Sequence, residues 1–138
     1  MIRSHIDLLQ RSFDLVELQA DRARDLFVAR LAESDPSLAG RLRHDPVAAL
    51  GALVAQLDDV HEVVRSVQRL ADDHLAAGGS PGDPATVRIA LLWALEQLLG
   101  SAYTADVRNA WAGLTRTVVT VMAGADERDR HDAGAGVA

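Results

Sequence analysis

Three aspartate–proline pairs, Asp35-Pro36, Asp45-Pro46 and Asp83-Pro84, divide this 138-residue chain more firmly than anything else in it. Proline has no N–H to return to a preceding turn and disfavours helical geometry in the residue before it, so no regular helix is expected to run through these pairs. The same pair starts a helix well, because the aspartate oxygen can accept from free N–H groups and proline fits the first turn. The sequence therefore predicts separate helices with breaks at set places, provided that the segments between the breaks are helical.

They are. Ser4 as N-cap and Asp7 three residues later open a first helix carrying Ile6, Leu9, Phe13 and Val16 to about Leu18. A second starts near Gln19 to Asp21, carries Ala23, Leu26, Phe27 and Leu31, and stops at Ser34-Asp35-Pro36. Residues 36–42 make a short third helix, and Asp45-Pro46 opens a fourth with Val47, Leu50, Val54 and Leu57 on one face. After Asp58-Asp59, the residues Val60, Val63, Val64, Val67, Leu70, Ala71 and His74 keep helical spacing until Gly78-Gly79. Asp83-Pro84 should cap the sixth helix, over 84–99, whose leucines leave little polar surface, so it is expected at the centre of the fold. Gly100 ends it, and Thr104 or Asp106 can cap a last helix bearing Val107, Trp111, Leu114, Val118 and Met122. Residues 124–138 lack a periodic apolar face and are expected to form a disordered tail after a single domain over 1–123.

Composition agrees and narrows the chemistry. With 24 Ala and 19 Leu against 5 aromatic residues the chain is rich in helix formers, which argues against a β-sandwich or barrel. All 14 basic residues are arginine and 20 acidic residues leave a net charge of −6, a balance that repels a phosphate backbone and speaks against nucleic-acid binding. The absence of cysteine excludes disulfides, thiolate ligands and thiol nucleophiles. No run approaches the ~20 apolar residues of a membrane span, and the amino terminus lacks the apolar core of a secretory signal, so a cytoplasmic protein is expected.

Five histidines remain as ligand candidates. His131 falls in the expected tail, His5 in an exposed first turn and His61 at the opening of the fifth helix, all places for solvated side chains. His74 follows Leu70 by four residues and Val67 by seven, which places it on the inward stripe of its helix. It can be a hydrogen-bonded core residue, a partner of the helix C-terminus or a metal ligand. Sequence neighbours supply no second ligand, and haem is a group that needs only one from this side, since the porphyrin brings four nitrogens of its own.

The stretches LLQRSFDLVELQADRARDLFVARLAESDPSL from Leu8 and LADDHLAAGGSPGDPATVRIALLWALEQLLGSAYTADVRNAWAGL from Leu70 resemble, in order and spacing, the globin domain of bacterial flavohaemoglobins and their single-domain relatives. The resemblance covers roughly residues 4–123 and implies an all-α, globin-like bundle of about six to seven helices, with a shortened segment between the third and fourth. It implies haem b held by His74 as proximal ligand, with Phe27, Val28, Leu42, Val47, Leu50, Val67, Leu70 and Leu91 as pocket wall. Departures from the family pattern come with it. Val28 stands where a tyrosine would hydrogen-bond the bound gas, Leu42 where a phenylalanine would wedge the haem, and Pro84 where a tyrosine would support the histidine. The supporting glutamate of the last helix falls near Asp126 or Glu127, and His44 is the candidate for a distal polar residue. Arg41 and Arg43 are candidate partners for the propionates.

The function implied is binding of a diatomic gas (oxygen, nitric oxide or carbon monoxide) for binding, sensing or redox chemistry, with an external reductase where turnover is involved. Two other readings stay open at this level: a haem-free globin fold that binds a partner, and a haem enzyme of specialised metabolism acting on an organic substrate. The apolar sixth helix is compatible with burial inside a monomer or in a homodimer.

Overall fold

The structure, a computed structural model, describes the backbone over 3–42, 45–80 and 82–137 and side chains as far as 124 within those ranges. Seven α-helices follow one another: α1 (Arg3–Glu17), α2 (Ala20–Ser34), α3 (Pro36–Arg41), α4 (Pro46–Ala55), α5 (Val60–Ala76), α6 (Asp83–Leu99) and α7 (Ala105–Val137). A single 3₁₀ turn over Gly100–Ala102 joins the last two. The described residues contain no strand, as the composition requires. No helix is long and apolar enough to cross a membrane among the described residues. The tail expected over 124–138 falls almost wholly on residues whose side chains lie outside the described set; α7 itself runs to Val137.

Two of the three aspartate–proline pairs act as read. The Asp35 carboxylate accepts from the Leu38 N–H at 3.0 Å and the Asp45 carboxylate from Val47 N–H at 2.9 Å, each with proline in the first turn. Asp59 caps α5 in the same way, accepting from His61 N–H and Glu62 N–H, and Thr104 rather than Asp106 receives Val107 N–H at the start of α7. Two expectations are corrected. Ser4 is not the cap of α1, which already includes Arg3, whose side chain pairs with Asp7 and with Asp58. Asp83 is not a cap either: it is the first residue of α6, Gly82 precedes it without a side-chain cap, and the carboxylate turns back to accept Ser80 N–H at 2.8 Å. An acceptor engaged by the loop behind it cannot also serve the helix ahead.

The core sits where α1, α2, α6 and α7 meet. Phe13, Phe27, Leu31, Leu98, Trp111 and Leu114 are among its buried members, and α6 packs along α2, as its apolar circumference implied. Trp111 is fully enclosed, tilted against Phe13 with ring centroids 6.3 Å apart, and its indole N–H donates to Ser12 Oγ at 2.9 Å. Ser12 in turn donates to Leu8 O, so the polar pair deep in the core is closed on itself. α5 stands apart from this arrangement and packs on α7, while α4 rests on α1 across Gly51, where the Phe13 ring fills the space a side chain would need. A cleft is left between α4 and α5.

Candidate functional site

How α5 ends decides where His74 points. Gly78 adopts φ +86°, its N–H returns to Leu75 O at 3.0 Å, and Gly79 N–H returns to His74 O at 2.9 Å. This is the paired bonding of a Schellman cap, and the left-handed residue at its turn is what makes glycine the suitable choice there. The chain then folds back over the last turn of α5, so that Gly79 lies directly on the imidazole of His74; any Cβ at 79 would overlap the ring. A loop of Gly-Gly-Ser-Pro-Gly composition is thus the seat of the histidine.

The ring is half-buried, its side chain 23% exposed. Its Nε2 lies 3.2 Å from the carbonyl oxygen of Ser80 and 3.2 Å from Asp83 Oδ2. Both neighbours are acceptors, so the ring carries a proton on Nε2 in this arrangement, and in the neutral tautomer the lone pair resides on Nδ1. Asp83 is buried and gathers three groups from three segments: Ser80 N–H from the loop, the imidazole from α5, and the Arg41 guanidinium from α3 at 3.7 Å. A buried carboxylate needs such partners, because desolvation of its charge is otherwise expensive.

This cluster edges a cleft of about 200 Å³. One wall is Leu38, Leu42, Pro46, Ala49, Leu50 and Leu53 of α3, α4 and their junction; the other is Leu70 and His74 of α5, Val87 and Leu91 of α6, and Val118 and Met122 of α7. Of the residues expected as pocket wall, Leu42, Leu50, Leu70 and Leu91 therefore meet His74 at the cleft. Val47 lines a smaller void beside it, together with Leu50 and Leu91. Three others are corrected. Phe27 and Val67 are enclosed in packing away from the cleft, and Val28 faces solvent at 40% exposure. The reason is rotational: neighbours on a helix are about 100° apart, so Phe27 turned into the core carries Val28 outward. His44 and Arg43 lie outside the described residues, as do the side chains of Asp126, Glu127 and His131.

Two residues at the cleft carry sequence signals of another kind: Asp83 has the signature of a helix cap, and Arg88 is the one charged residue between Asp83 and Glu96 in an apolar helix. It lines the cleft, with Nε–H donating to Thr115 Oγ1 at 2.9 Å and Nη2–H to Ala112 O at 3.1 Å.

The donor set suits a group that brings most of its own ligands. No cluster of three or more His, Cys, Asp or Glu side chains is placed to hold a bare metal ion among the described residues. His74 brings one imidazole to the cleft, with its Nε2 against the Asp83 carboxylate, an acid placed as the outer partner of a histidine ligand would be. With leucine side chains opposite, these residues fit haem.

Comparison with known proteins gives the same reading at family level. The family model described as Globin matches residues 42–122, more than half of the chain. Neuroglobin of Tetraodon nigroviridis is 38% identical over 73 residues, covering 53% of this chain and 46% of that protein. Neuroglobin of Danio rerio is 36% identical, and neuroglobin-1 of Oncorhynchus mykiss 34% identical, over the same length and shares. The matched region spans about half the length of these relatives. The matches establish the family without bearing on the bacterial branch that the residues resemble. An all-α chain with a histidine-edged cleft and this family match belongs to the globins.

Proposed function

We propose that the cleft holds haem b through His74 and that the protein binds a small diatomic gas there. The observation carrying this reading is the position of one imidazole, seated by Gly79 and backed by Asp83, at the edge of a cleft whose facing wall is leucine. Haem held there would supply an iron able to bind a diatomic gas.

The chain's own residues then set the preference. Asp83 restrains the imidazole by its contact with Nε2. Leu42, Leu50 and Leu53 exclude water and donate no hydrogen bond. Retention of dioxygen would benefit from a hydrogen-bond donor, a contribution of about 1.5–3 kcal/mol for hydrogen bonds to charged groups. Carbon monoxide and nitric oxide need that donor less. Where these leucines face the gas, carbon monoxide and nitric oxide are favoured over retention of dioxygen.

Titration of the protein with haemin tests the reading. A Soret band should grow and saturate at one equivalent; after reduction, carbon monoxide should give a lasting spectrum, whereas air should return the ferric one rapidly. Absence of a saturable Soret change contradicts haem binding, and a long-lived spectrum in air contradicts the assigned gas preference.

A further inference from the structure

α6 is apolar on its outer side as well as its inner one. Leu91, Ala94, Leu95 and Leu98 turn into the core, while Ile89 and Trp93, four residues apart, and Leu92 beside them form a second apolar strip. A helix apolar around its circumference is normally buried all round. This one is buried on one side only, for Ile89 is 63% exposed and Leu92 and Trp93 are half-buried. None of the three lines the cleft, so a ligand there does not cover them. The flank towards α2 is settled within the chain: the Arg30 guanidinium stacks 5.1 Å from the Trp93 ring centroid and pairs with Glu33 at 3.4 Å.

The remaining charges along the strip are arranged by sign. Glu96 closes it towards the C-terminal end of α6, about two turns beyond Arg88. Arg116 of α7 follows Thr115, the residue that receives Arg88, and so stands at the other end. Both are exposed, and among the described residues neither Glu96 nor Arg116 has an ion-pair partner. Arg108, beside Glu96's end, lies over the Tyr103 ring at 5.6 Å. An apolar strip with an acid at one end and a base at the other is complementary to itself when reversed, which favours a second copy of the same chain as its cover. We propose that α6 and the adjoining flank of α7 form a homodimer face, the two α6 helices running antiparallel about a two-fold axis near Leu92. Ile89 and Trp93 then meet the same strip of the other copy, and each Glu96 stands opposite the partner's Arg116.

Sedimentation velocity of the full chain over a concentration series tests this independently of haem. The mass should rise with concentration from that of one 14.8 kDa chain to that of two. Ile89→Glu sets a charge against the apolar strip of the other copy and should weaken association about tenfold or more. Glu96→Arg and Arg116→Glu should each weaken it as well, since a two-fold axis brings the like charges together twice, and the double variant carrying both changes should regain most of the loss. Leu18→Glu, at an 82% exposed leucine just past α1, should leave association unchanged. Ile89, Glu96 and Arg116 are exposed, so the variants keep the fold, which far-UV circular dichroism checks. A monomer at every concentration, association indifferent to Ile89→Glu, or single charge variants that the double variant fails to rescue overturns the proposal.

Discussion

The two sides of this molecule solve opposite problems with the same helical vocabulary. Where α1, α2, α6 and α7 meet, Phe13, Phe27 and Trp111 fill the interior, and the buried polar atoms of Ser12 and Trp111 satisfy one another. Across the molecule, between α3 with α4 and α5, leucine and valine leave a cleft of about 200 Å³, edged among the described residues by the His74 imidazole, the Asp73 and Asp83 carboxylates and the Arg41 and Arg88 guanidiniums. Packing density in the first region holds the fold; incomplete packing in the second leaves room for a ligand. None of the five aromatic residues lines the cleft, so their scarcity does not bear on its walls.

That division is broken most severely at Trp111. Replacing it by alanine removes the largest buried side chain and should lower stability by about 3–5 kcal/mol. Denaturant unfolding measures this, and a loss below about 1 kcal/mol, the level of a surface substitution, would mean that the core lies elsewhere. A smaller effect is expected from Ser12→Ala, which leaves the indole N–H without its acceptor inside the core, at a cost of about 1–3 kcal/mol. The same measurement checks it; a neutral result would show that another acceptor reaches the indole.

The cleft side should respond in the reverse sense. Gly79→Ala puts a methyl group where the His74 ring lies, at a residue with ordinary φ, and the free end of that side chain can turn away. Stability should change by about 1 kcal/mol or less, within the range of ordinary substitutions. The haem spectrum should shift because the imidazole has moved. Unchanged haem uptake and spectrum in Gly79→Ala would detach the glycine seat from the site.

Helix breaks were legible because their cause is local: Asp35 and Asp45 cap within three residues of themselves. Asp83 has the same sequence signature and a different role, since its partners include Arg41 from α3 and His74 from α5, groups that only the tertiary fold brings near. The placement of His74 on an inward stripe could be read from period alone, and so could its lack of a neighbouring second ligand. The seat for its ring could not, because it depends on a backbone reversal at Gly78 and on the close approach of Gly79. Phe27 and Val28 show a related limit. A family resemblance assigns both to a wall, whereas the rotation of α2 in this chain buries one in the core and exposes the other.

The central claim is that His74 is the protein's hold on haem. Parallel haemin titrations of wild type and His74→Ala, followed at the Soret band with far-UV circular dichroism confirming that both remain helical, test it most directly. A saturable band at one equivalent is expected in wild type, shifted and weakened in His74→Ala and partly recovered when free imidazole is added. The same band, position and affinity in both proteins would contradict it.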